Sequence, residues 1–277
     1  RGEHQSKGGS SPIIRFILGF FVMIGALMFL GCPLRMILRL GGGDLNALFG
    51  IAGFAGGVGI GTIFLKRGYS LQRTYALSKL ESAIMPAIQV GLLVLVVTAP
   101  AFIFFSQKGP GAMHAPWLIS LAAGLVVGGL SQYSRLCTVG GFRDLFLFKK
   151  SVLIFGYIAV LVGVFAVNIS FGNFHLGFEN QPVSHTDGLW NFLGMALAGF
   201  CSVLLGGCPL RQLIMTGEGN SDSAVTVLGL AAGAAFAHNF GLAASGAGPT
   251  LNGQIAVGIG FVVALIIAVL NTKRSNA

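Results

Sequence analysis

Two copies of Gly-Cys-Pro-Leu-Arg, at 31–35 and 207–211, are the residues of this sequence best suited to chemistry. Proline fits the first turn of a helix, where its missing N–H costs nothing. A glycine ahead of it permits close backbone approach. Each copy therefore predicts a helix break and restart, with Cys32 or Cys208 at about the N-cap. Free N–H groups and the positive end of the helix dipole attract an anion there and favour thiolate character in the cysteine. Arg35 and Arg211 add a positive charge two residues after each proline. A third segment, Leu-Cys-Thr-Val-Gly-Gly-Phe-Arg-Asp at 136–144, offers Cys137 and Arg143 for the same work. A small anion with a soft, polarizable atom suits this combination.

Each of these residues has a plainer reading. A buried cysteine commonly packs as a small hydrophobe, which is the reading for Cys201, in mid-span with no motif around it. Arg35 and Arg211 can snorkel to an interface, and Arg143 can pair locally with Asp144. His238-Asn239 can line a pathway or make an interhelical hydrogen bond.

The elements that must position these groups are membrane spans. The chain is 54% hydrophobic and 9% charged, with 43 glycines among 277 residues; soluble domains are about 25% charged. Eight apolar segments, 13–31, 45–65, 84–105, 117–131, 152–171, 189–207, 224–246 and 254–270, approach the length that a bilayer requires. The apolar stub 136–148 reads as re-entrant or as a half-helix. The strings Gly53-x-x-x-Gly57-x-x-x-Gly61, Gly124-x-x-x-Gly128 and Gly229-x-x-x-Gly233 read as helix contacts. The net charge of +9 resides in short loops, so it reads as a topology signal facing anionic lipid and not as a nucleic-acid surface. Lys66, Arg67, Arg73, Lys79, Arg135, Arg143, Lys149, Lys150, Arg211, Lys273 and Arg274 fall on one side, and only Arg35, Arg39 and Lys108 on the other. The positive-inside rule makes the basic side, with both visible ends, cytoplasmic. No Cys-x-x-Cys pair, zinc spacing, Walker loop, hydrolase triad or cofactor motif is present, so an enzyme, a cofactor and a metal are not expected.

The paired motif marks an internal duplication. Setting Cys32 on Cys208, an offset of 176, also aligns Gly41 with Gly217 and Gly43 with Gly219. A three-residue slip then sets Gly50-Ile51-Ala52 on Gly229-Leu230-Ala231. Five spans lie between the motifs, and an odd number reverses the polarity of the second copy, giving a pseudo-symmetric inverted repeat. The expected fold is an all-α integral membrane protein of about eight transmembrane helices plus short half-helices. It forms a single transmembrane domain over 1–277, with 1–110 the remaining part of a first repeat and 117–277 a second. Cys137 lies 71 residues before Cys208, and its counterpart would fall about 39 residues before Arg1. The spacing thus predicts that the front of the first repeat precedes this sequence, whose opening Arg-Gly-Glu-His reads as a loop with no signal peptide.

At these motifs the sequence resembles the YeeE/YedE family of membrane proteins, which contains thiosulfate transporters. Its segment at 136–144 and its two Gly-Cys-Pro-Leu-Arg copies are most similar to the branch linked to selenium metabolism. The resemblance implies transport of a small inorganic sulfur or selenium species across a bacterial cytoplasmic membrane. Cys32, Cys137 and Cys208 would pass the anion along a central path, with no cofactor. A soluble sulfur- or selenium-carrier protein could dock at the basic loops. The alternative is a membrane sulfur or selenium transferase or redox protein with a reactive cysteine.

Overall fold

A computed structural model describes residues 6–71, 74–99 and 115–272, together with Phe102, Phe104 and Gln107. The described residues form eleven helices: α1 Pro12–Phe29, α2 Pro33–Gly41, α3 Asn46–Lys66, α4 Lys79–Thr98, α5 Trp117–Ser134, α6 Thr138–Phe148, α7 Val152–Ser170, α8 Gly188–Leu205, α9 Pro209–Gly217, α10 Ser221–Asn239 and α11 Leu251–Leu270. The only sheet among them is a two-residue antiparallel pair, Lys7–Gly8 with Tyr75–Ala76. Of the basic residues assigned to a side of the membrane, Arg73, Lys108, Lys273 and Arg274 lie outside the described residues.

Seven segments are long and apolar enough to cross a membrane: α1 with α2, α3, α4, α5 with α6, α7, α8 with α9, and α11. The protein is therefore an all-α, multi-pass membrane protein. The expected span 224–246 is the exception. Its helix, α10, starts at Ser221 behind the Asn220 cap, whose side chain accepts the Ser223 N–H, and ends at Asn239. Asp222, Ser223 and Thr226 dilute its apolar character. The stub 136–148 is the eleven-residue half-helix α6. At 84–105 the helix begins earlier, because Ser78 and Glu81 form a capping box ahead of Lys79.

Helix α8 is buried over most of its length, while α4 buries no residue, α5 only Ser131 and α7 only Tyr157. The apolar surfaces of α4, α5 and α7 thus face lipid in a membrane-embedded chain. The core is built by α1 against α8, α3 against α8 and α10 against α1. Glycine sets how closely the last two pairs approach. A Cβ at Gly53 would overlap the Phe192 carbonyl, and one at Gly57 the Ala196 carbonyl. In the other pair, a Cβ at Gly229 would overlap Phe16 O, and one at Gly233 Phe20 O. All four correspondences have the ungapped offset of 176, so the duplication runs through α3 and α10 without the three-residue slip expected from Gly50 and Gly229. By contrast, a Cβ at Gly124 or Gly128 would meet nothing within 4 Å, which corrects the reading of that pair as a helix contact.

Two buried polar clusters tie the connecting segments to these helices. Arg39, 8% exposed, donates to Asp44 Oδ2 at 2.7 Å, Phe29 O at 2.6 Å and Ser184 Oγ at 2.6 Å. Asn46 donates to Phe178 O at 2.7 Å. Together they fasten the segment before α8 to the α2–α3 corner. At the α9–α10 corner, Asp222 accepts the Ser10 N–H at 3.0 Å and lies 3.6 Å from Arg15, holding the segment before α1. Asp222 and Asn46 are again 176 positions apart.

Candidate functional site: cysteines at half-helix starts

The two Gly-Cys-Pro-Leu-Arg corners have one backbone conformation. Cys32 (φ −77°, ψ 169°) and Cys208 (φ −72°, ψ 164°) are extended N-caps, each followed by proline at the start of a nine-residue half-helix. The long helix before each ends in a left-handed residue, Leu30 (φ 64°) or Gly206 (φ 84°). The next N–H then turns back into that helix, from Gly31 to Ala26 O at 2.8 Å and from Gly207 to Ser202 O at 3.1 Å. These breaks aim each cysteine along the start of α2 or α9, as the proline positions imply.

Cys137 is also an N-cap, of α6, but with Thr138 in place of proline and a more extended backbone (φ −152°, ψ 113°), and its sulfur accepts the Gly140 N–H at 3.4 Å. The starts of α6 and α9 meet. The Cys137 and Cys208 side chains lie close enough to each other to interact electrostatically, and both belong to one buried cluster. Both residues are buried, at 8% and 1% exposure, in a cluster with Phe54, Val58, Met195 and Val203. All four cysteines are free thiols. Two helix dipoles with their positive ends on two sulfurs make a place where an anion, or a sulfur carrying partial negative charge, is stabilised.

Cys32 is only partly buried and does not touch this pair as Cys137 does. It lines, with Gly31 and Arg35, a cavity of about 1030 Å³ between the end of α1 (Leu27, Leu30) and the end of α10 (Ala237, His238). Between the two settings stands Tyr157 of α7. Its hydroxyl accepts from Thr138 Oγ at 2.7 Å and lies near enough to Cys208, Cys137 and Cys32 to interact electrostatically with each. Nothing in the sequence reading singled out Tyr157; the available signal was a phenol inside an otherwise apolar span.

The arginines differ. Arg35 is exposed at the Cys32 cavity. Arg211 points away from the thiols, donating to Gln132 Oε1 at 2.6 Å and lying 3.8 Å from Glu218. Arg143 makes the local pair with Asp144 at 2.9 Å, while its charge also acts on Cys137. His238 lines the Cys32 cavity, and Cys201, on α8, is fully buried in the main apolar cluster, as a packing residue would be. Among the described residues no group of His, Cys, Asp and Glu could hold a metal ion.

The model of a family described as sulphur transport matches residues 133–273, which contain the Cys137–Cys208 pair. The thiosulfate transporter TsuA of Escherichia coli (strain K12) is 27% identical over 115 residues, which cover 39% of this chain and 30% of that protein.

Proposed function

Because the chain belongs to the sulphur transport family, we propose that it moves a small sulfur-containing anion, thiosulfate or a close analogue, across the membrane along its cysteines. The observation that carries this reading is the meeting of α6 and α9 with two free thiols between their N-termini. A thiol donates a weak hydrogen bond and offers a polarizable surface, which matches the terminal sulfur of thiosulfate. The helix N-termini supply positive potential without a counter-ion that would have to be displaced. The anion enters at the cavity beside Cys32 and Arg35, passes Tyr157, and is handed to Cys137 and Cys208. No bond is made or broken in this relay. Selenide, or an anion with a terminal selenium, is at least as polarizable and is the second substrate class to test.

The two corners act as inverted repeats, with Cys32 reached from one face of the membrane and Cys208 from the other. The parity of the spans between them and the recurrence of contacts at an offset of 176 support this. The basic loops then face the cytoplasm of a bacterial inner membrane, where a soluble sulfur carrier could dock. A second reading draws on the same pair. Thiolate attack by one cysteine of the pair on the sulfane sulfur of thiosulfate would leave a persulfide and release sulfite, with the other positioned to resolve it.

Uptake of sulfur-labelled thiosulfate into vesicles, competed with selenium compounds, is the test. Cys208→Ala is expected to abolish uptake, whereas unchanged uptake would remove the relay. Mass spectrometry after incubation with thiosulfate is expected to show unmodified Cys137 and Cys208; a persulfide on either would favour the transferase reading.

A further inference from the structure

A second cavity, of about 210 Å³, lies at the opposite end of α8, lined by Arg15, Tyr69, Arg143, Ser10 and Ser70 among others. It is the counterpart of the cavity beside Cys32. Leu65, Tyr69, Ser70, Val203 and Gly206 of the small cavity stand 176 positions from Gly241, Ser245, Gly246, Leu27 and Leu30 of the large one. What differs is the polar equipment, because Tyr69 and Arg15 occupy the small cavity and α6 brings Arg143 into it. We propose that Arg15, Tyr69 and Arg143 form a binding site for a small tetrahedral oxyanion, such as thiosulfate or sulfate, at the mouth beyond the Cys137–Cys208 pair. This rests on the transport reading for its purpose, but not for its existence.

Three features make this a site. Tyr69 is 7% exposed, and its hydroxyl has no hydrogen-bond partner among the described residues. A phenol buried without a partner is costly unless something intermittently accepts from it. Burial pushes its pKa up, so it remains a donor at any physiological pH. Arg15 spends Nε and Nη2 on Ser10 and Asp222, and Arg143 spends Nε and Nη2 on Asp144, so neither set of contacts uses Nη1. The carbonyl end of α8 also borders the cavity and would repel an anion. Two of its carbonyls are already engaged, however, Val203 O by the Gly206 N–H and Leu205 O by Gln212. Two guanidinium edges and a phenol converging in a space of this size fit one oxyanion, with Arg143 linking the site to Cys137.

The test is calorimetric titration of the purified chain with inorganic sulfate, in a Cys32→Ser/Cys137→Ser/Cys208→Ser background so that the thiols of the path contribute nothing. Tyr69→Phe is expected to weaken sulfate binding about tenfold, the effect of one hydrogen bond to a charged ligand, and Arg143→Gln at least as much. Tyr69→Phe removes an unpartnered hydroxyl, so thermal stability without sulfate should hold or rise. Loss of stability together with unchanged affinity would assign Tyr69 to structure and overturn the site. Equal affinity in all three proteins, or no sulfate binding to the folded parent, would also overturn it. Sulfate binding that depends on Tyr69, in a protein that does not take up thiosulfate, would keep the site and discard the relay.

Discussion

The two Cys-Pro corners share their residues and backbone yet place their cysteines in opposite surroundings. Cys208 is closed over by α6 and meets Cys137, while Cys32 opens onto a large cavity. The motif dictates the break, the cap and the direction of the thiol. What the thiol touches is decided by the helix that packs across it, and α6 lies against α3 and α8 only at the second corner. Arg39 marks a further difference. It is buried beside the first corner against three residues, Asp44, Phe29 and Ser184, whereas Arg211 of the second reaches outward to Gln132 and Glu218.

The comparison can be broken most forcefully at those arginines. Arg39→Ala leaves Asp44 buried without its cation, and a cost of about 3–5 kcal/mol is expected, read as a large fall in melting temperature of the purified protein. Arg211→Ala should cost less than about 1 kcal/mol, because its pair is loose and partly solvated. Equal losses would mean that the two corners are held in the same way. Next in size are the helix contacts. Gly57→Ala and Gly233→Ala each push a Cβ into a facing carbonyl and should destabilise by about 1–3 kcal/mol. Similar penalties at these repeat-related positions would sharpen the duplication. Gly128→Ala, which meets nothing, should be neutral or stabilising by up to about 1 kcal/mol.

The smallest effect concerns the segment before α8. His185 Nε2–H donates to Met28 O at 2.8 Å, and desolvation by burial is the main cause lowering its pKa from the usual 6.5. The folded state therefore holds its proton less tightly than the unfolded chain. Stability should fall as pH drops below about 6.5 and be fully present above it. Melting curves of His185→Gln that kept the same acid dependence would assign it to other groups.

Much of this fold was readable in the residues. Proline after cysteine marked both half-helices, the interrupted stub became α6, and the glycine strings at 53–61 and 229–233 were contacts. The register of the duplication at α3 and α10 is less legible, because identity of Gly-Ile-Ala with Gly-Leu-Ala favours a slip. The packing carbonyls at Phe16 and Phe192 require none. The meeting of Cys137 with Cys208 and the convergence of Arg15, Tyr69 and Arg143 join residues far apart in the chain. They have no periodic signature, since each depends on where α6 settles against α8.

The most direct test of the path is labelling of Cys32 with a membrane-impermeant maleimide, in vesicles of both orientations and with or without thiosulfate. Cys32 should react from the face opposite the basic loops, more slowly when thiosulfate is present, while Cys208 stays unreactive. Labelling from the basic face, or a rate that thiosulfate leaves unchanged, would contradict a path that begins at Cys32 and ends beyond Cys208.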